Sequence, residues 1–323
     1  MKSRSLTPRF HVRIQLIFKS LPFLLYRVEI IGVTTMNTTG SIDKALLSLE
    51  GLSTGDAFGE LFFKLSPYST LPENLPRGLW HWTDDTHMAL SIVEVLKSEG
   101  RIEQDVLAKA FARRFNEEPY RGYAGGAIDL LRKISKGSDW RDISPKLFGT
   151  GSFGNGAAMR VAPIGAFFYQ DIQLAAEQAQ LSAVITHAHI EGQAGAIAVA
   201  VAAALAANKP YLTGQKFLGE ILKFVPETLT RDLISKAMVI DQDQLHNAMR
   251  ILGTGIKVSA QDTVPFCLWS AAHHLDNFEN ALWHTVKGLG DCDTTCAIVG
   301  GIVALSAPEI PGLYLNSREP IHL

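Results

Sequence analysis

The chain has 323 residues, 47% of them hydrophobic and 19% charged, a composition that builds a sizeable core and excludes a disordered chain. A formal net charge of −2 excludes charge-driven duplex binding, which needs clustered Lys and Arg. Three cysteines, Cys267, Cys292 and Cys296, make no disulfide framework in so long a chain and point to a reducing, cytoplasmic setting.

Residues 1–35 stand apart. Lys2, Arg4, Arg9, Arg13, Lys19 and Arg27 all precede the first acid, Glu29. Lys19 and Pro22 break the apolar stretch that a secretory signal needs, and Lys19, Arg27 and Glu29 spoil a membrane span. A transit-type peptide fits the basic bias, but the plainer reading is an extension, with Met36 as the working start. Residues 36–323 then form one domain.

From there the apolar period is helical almost throughout. Residues 42–54 give a first helix, with Ala45, Leu46, Leu49 and Leu52 as its stripe, ending at Gly55. Helices follow over 85–98 and 103–116, then a loop over 120–126 and a glycine-dense loop over 147–157. Residues 171–187 and 191–207 give two more. The second is small and apolar on every side, which places it inside a large core. Polar neighbours on both sides make it too short to span a membrane. Further helices cover 213–225, 228–239, 243–252, 261–275, 277–288 and 294–306. The pattern predicts an all-α fold, a single compact multi-helix domain without internal repeats.

Two acidic clusters open helices: Thr83-Asp84-Asp85-Thr86 and Asp291-Cys292-Asp293-Thr294-Thr295. Asp and Thr at a helix start cap free N–H groups and suit the dipole. Each cluster nevertheless has two carboxylates plus hydroxyls, more oxygen than one cap uses. Hard divalent cations take all-oxygen shells, and paired carboxylates repel unless a cation sits between them. Between the clusters runs Gly149-Thr150-Gly151-Ser152-Phe153-Gly154-Asn155-Gly156. Its glycines would let backbone N–H groups approach an anion, although neither a P-loop lysine nor a preceding strand is present. A tight interhelical loop explains it equally well. His187 follows a helix and reads alone as a packed or surface residue. Gly55-Asp56-Ala57-Phe58-Gly59-Glu60 ends the first helix: its glycines read as C-cap and turn, and its acids could equally face solvent.

Gly55-Asp56-Ala57-Phe58-Gly59, Trp82-Thr83-Asp84-Asp85-Thr86-His87-Met88, Gly154-Asn155-Gly156-Ala157-Ala158-Met159-Arg160, Thr186-His187 and Gly290-Asp291-Cys292-Asp293-Thr294-Thr295 occur in this order. Together they resemble the ADP-ribosylglycohydrolase family over about residues 43 to 306. The resemblance implies an all-α catalytic domain with two Mg2+ (or Mn2+) ions. It implies metal ligands at Thr83, Asp84, Asp85, Asp291, Asp293 and Thr294. Gly151, Ser152 and Phe153 would hold the diphosphate and adjoining ribose, Asn155 and Gly156 would shape that loop, and His187 would lie near the adenosine. The family's glutamate, a few residues past the first Gly-Asp, falls here on Phe63; Glu60 is the nearest acid. Cys292 stands where a Thr or Ser is common.

The implied reaction is hydrolysis of the glycosidic bond between ADP-ribose and a modified side chain. Asp84 or Asp85 would accept a proton from the attacking water, and Glu60 is the third catalytic candidate. The implied partner is an ADP-ribosylated protein, or else a small ADP-ribose or nucleoside-like conjugate. A non-catalytic, crystallin-like relative that binds ADP-ribose is the alternative of another class. No nucleic acid or membrane partner is expected, and the chain is expected to be a monomer.

Overall fold

A computed structural model describes residues 38–65, 71, 75–209 and 211–323. The extension expected at residues 1–35 lies outside the described residues. The opening run of helices is α1 (Thr38–Glu60), α2 (Asp84–Glu99), α3 (Gln104–Glu117), α4 (Gly125–Ser135), the single turn α5 (Trp140–Ile143) and α6 (Ala162–Phe167). It continues with α7 (Ile172–Val184), α8 (Ile190–Asn208), α9 (Gly214–Ile221), α10 (Leu229–Ala237) and α11 (Leu245–Leu252). The last four are α12 (Ala260–His273), α13 (Phe278–Val286), α14 (Cys292–Val303) and α15 (Gly312–Ser317). The described residues hold no β-strand, so the expected all-α class stands.

The first helix does not stop at Gly55. It runs on to Glu60 because its glycines are contact points rather than a cap. Gly51, Gly55 and Gly59 repeat every four residues and so share one face. A Cβ on any of them would overlap backbone of α14, at Gly300, Cys296 and Cys292 respectively. Glycine lowers helix propensity by about 1 kcal/mol; here the tight α1–α14 seam outweighs it. The seam also brings the C-terminal turn of α1 against the N-terminal turn of α14.

α8 crosses the core, buried over most of its length, as its unbroken apolar run predicts. Its alanines leave room for α6, where a Cβ on Gly165 would overlap the Ala200 carbonyl. Other boundaries shift. α7 ends at Val184 rather than 187, which releases Thr186 and His187 into the turn before α8. α4 begins at Gly125, inside the stretch read as a loop. Near the C-terminus, Trp80 N donates to the Ser317 carbonyl at 2.7 Å, and Glu319 N donates to the Trp80 carbonyl at 2.8 Å. This short pairing fixes the segment that leads into α2.

Candidate active site

Asp56 organises the site. It is fully buried on α1, one turn before the helix ends. Its carboxylate accepts from Thr83 N (2.9 Å), Thr83 Oγ1 (2.9 Å), Thr86 N (3.0 Å) and Thr86 Oγ1 (2.5 Å). The first turn of α2 is therefore held by a carboxylate from another helix. Thr83 also caps α2 through Asp85 N at 3.5 Å, and its hydroxyl lies 3.1 Å from Asp85 Oδ2. A reading of Asp56 as solvent-facing is corrected: an ionised carboxylate is tolerated in the interior only when saturated with donors, and it has four.

The second cluster departs from simple capping. Asp291 stands at the N-cap of α14 but makes no side-chain cap bond. Instead its Oδ2 accepts from Asn155 Nδ2 at 2.6 Å, while the same amide donates to Thr263 Oγ1 at 3.1 Å. Thr294 is buried in the first turn of α14. A loop unforeseen in the sequence supports this turn. Asp291 N donates to the Thr254 carbonyl at 3.1 Å. Gly255, at φ +87°, passes so close that a Cβ would sit 2.6 Å from Asp291 Cβ.

The two clusters meet at the end of α1, where Asp56 holds the first and the Gly59 turn packs on Cys292 and Asp293 of the second. Burial, the Asp56 charge and then the Asp293 charge push Asp85 well above the carboxylate range. Burial and Asp56 raise Asp84 to about 8, with Asp291 adding to the shift. Burial and Asp291 push Asp293 well up. Burial raises Asp291 and Asp56 too, against their hydrogen bonds. Glu60 is half-buried, and burial, Asp56 and Asp291 raise it. Phe63, where the family glutamate was expected, is 49% exposed. Glu60, the nearest acid, is the last residue of α1.

This donor set fits a hard divalent cation. It is all oxygen, it concentrates negative charge, and Asp85 Oδ1 and Asp293 Oδ1 are buried with no hydrogen-bond partner. Among the described residues no three His, Cys, Asp or Glu side chains converge as a finished cage; the orphaned oxygens carry the fit.

The glycine-rich segment forms one wall. Gly151 needs its φ of +86°, and a Cβ there would press on His189 N at 2.7 Å. Ser152 is buried and its Oγ accepts from Gly154 N at 3.2 Å; Phe153 is 42% exposed and meets the His189 ring edge-to-face. Ala260 N donates to the Phe153 carbonyl at 2.9 Å, which pins the segment to the start of α12. Asn155 does more than shape the loop, since it ties the loop to Asp291. Gly156 leaves room for His187: a Cβ there would lie 2.9 Å from His187 Cε1. The loop before α4 packs beside the first cluster. Arg121 stacks on Trp82, its carbon 3.5 Å from the ring centroid, and pairs with Glu319 at 2.8 Å. Beside it, Gly122 at φ +98° passes close to Asp84, a Cβ there falling 3.3 Å from Asp84 Oδ1.

Comparisons with known proteins point the same way. A solved structure titled as an ADP-ribosylglycohydrolase-related protein complex superposes with a TM-score of 0.64 at 22% identity. It covers 87% of this chain and 94% of that one, and so shows the fold. The ADP-ribosylhydrolase ARH3 of Homo sapiens is 37% identical over 275 residues, 74% of this chain and 75% of its own. An uncharacterized protein of Archaeoglobus fulgidus is 30% identical over 84% of this chain and 86% of its own. The ADP-ribosylarginine hydrolase Tri1 of Serratia proteamaculans is 25% identical over 81% and 71%. Since the ADP-ribosylglycohydrolase family pattern also matches residues 37–315, nearly everything after the N-terminal segment is accounted for, and the chain belongs to the ADP-ribosylglycohydrolase family of glycosidic-bond hydrolases.

Proposed function

We propose that the chain hydrolyses the glycosidic bond between ADP-ribose and a modified amino-acid side chain, using two divalent cations. Thr83, Asp84, Asp85, Asp291, Asp293 and Thr294 would hold Mg2+ or Mn2+. Bound there, the cations would supply Lewis acidity and a fixed template for ribose hydroxyls. The observation that carries the reading is the Asn155–Asp291 hydrogen bond, which joins the glycine-rich wall to the carboxylate bowl. A ligand with a diphosphate on the loop would place a neighbouring ribose over the bowl.

The residues divide the work by environment. Breaking the bond builds positive charge at the anomeric carbon, and the surrounding carboxylates stabilise it electrostatically. Asp84 or Asp85 would take the proton of the attacking water, each being a carboxylate that is ionised when it holds a cation. Glu60, half-buried at the end of α1 and raised by the same surroundings, serves as the acid toward the leaving group. Asp56 holds Thr83 and Thr86 in place.

The test is release of ADP-ribose from arginine- and serine-ADP-ribosylated peptides with magnesium, manganese or a chelator. Release that the chelator abolishes supports the reading and names the linkage. If neither peptide is cut while ADP-ribose still binds, a small ADP-ribose conjugate replaces the modified protein as substrate.

A further inference from the structure

Arg160, just before α6, is fully buried against α2, α3 and the end of α7. Its guanidinium carbon lies 4.4 Å from the centroid of Phe111. It donates to Met88 Sδ at 3.4 Å, to the Ser182 carbonyl at 3.1 Å and to Thr186 Oγ1 at 2.9 Å. A guanidinium only donates, so the Thr186 hydroxyl accepts there and keeps its own proton for another partner. Of the two partners of Thr186 Oγ1 among the described residues, only His187 Nδ1, 2.7 Å away, can take that proton, and pairing it there satisfies hydroxyl and ring together. A ring nitrogen that accepts carries no proton, so the neutral imidazole holds its proton at Nε2. Nε2 faces the glycine-rich loop: a Cβ on Gly154 would lie 3.2 Å from it, and one on Gly156 3.1 Å. Burial, and then the Arg160 cation, push His187 down to about 3, so the ring stays neutral at physiological pH.

We propose that Arg160 is a positioning residue which, through Thr186, locks His187 as its Nε2–H tautomer and aims that N–H at a phosphoryl oxygen of the ligand on the glycine-rich loop. The ligand half rests on the reading that ADP-ribose lies there. A locked N–H can only donate, so the position selects an acceptor oxygen and disfavours a ligand group that must itself donate.

The test has two readouts on the full chain. Imidazole 15N NMR without ligand, from pH 5 to 8, is expected to show His187 Nδ1 bare and Nε2 protonated throughout. Thr186→Val keeps the volume but removes the hydroxyl, and is expected to give mixed tautomers; Thr186→Ser restores the single form. Arg160→Lys, still donor-only, retains the tautomer, whereas Arg160→Met releases it. Calorimetry with ADP-ribose is expected to show about a tenfold weaker Kd for Thr186→Val, the scale of one hydrogen bond, and recovery in Thr186→Ser. A protonated Nδ1 in the wild-type chain, or a Thr186→Val protein unchanged in both readouts, overturns the proposal. A wild-type chain with the stated tautomer that does not bind ADP-ribose overturns the ligand half together with the proposed function, and leaves the tautomer lock standing.

Discussion

At the residue scale, Asp56 and Glu60 sit four apart on one helix and yet face opposite demands. Asp56 satisfies four donors, so a neutral amide in its place leaves donors opposed by an NH2 group. Each unsatisfied buried donor costs about 1–3 kcal/mol. Asp56→Asn is expected to lower unfolding free energy by about 2 kcal/mol in urea titration and to remove hydrolysis, since Thr83 and Thr86 lose their support. Glu60→Gln should behave differently. The surroundings already disfavour the ionised form of Glu60, so a neutral isostere relieves repulsion instead of orphaning a partner. At pH 8 its Tm should equal or exceed that of the parent while kcat falls. A Glu60→Gln protein with full kcat would remove Glu60 from the catalytic set.

At the scale of elements, the α1–α14 seam decides where the chemistry sits. Gly55→Ala should destabilise by about 3 kcal/mol, the upper range of overpacking, because the added methyl meets backbone that no side-chain rotation relieves. A Tm unchanged by Gly55→Ala would mean the helices stand further apart. This seam also marks the limit of what local sequence reveals. The stripe Ala45, Leu46, Leu49 and Leu52 makes the helix legible, but a glycine three residues beyond the last leucine ends a helix as readily as it packs one. What distinguishes the two is the matching backbone at Cys292, Cys296 and Gly300, far away in the chain. For the same reason Asp56 could equally be a surface acid until α2 is laid against it. The apolar helix α8, whose signal is internal to itself, is read correctly together with its burial. α4 escapes because Gly125 and Gly126 mask its start.

Across the whole molecule, the motifs and their order are legible, and their convergence is not. Doubled carboxylates hint at a cation, but only the fold sets Asp291 against Asn155 and Asp293 within reach of Asp85's charge. The consequence is a stability that depends on pH and on cation together. Asp84, Asp85 and Asp293 have folded pKa values raised above the unfolded value of 3.8, Asp84 to about 8. The folded state therefore holds these protons more tightly, and the stability they contribute is full below about pH 4 and declines as pH rises toward 8. Buried neutral histidines act in the opposite direction. His87 and His284, both lowered from 6.5 to about 4 chiefly by burial, withdraw stability as pH falls below 6.5. The metal-free chain should accordingly be most stable in weak acid and lose Tm from there to pH 8. A divalent cation removes the carboxylate repulsion by replacing the protons, so its stabilising effect must grow with pH. Differential scanning fluorimetry should show a larger Tm increase with saturating Mg2+ at pH 8 than at pH 5. Asp293→Asn should flatten the metal-free decline and shrink the Mg2+ increment in the same experiment. Equal Mg2+ increments at the two pH values would place the cation away from these carboxylates.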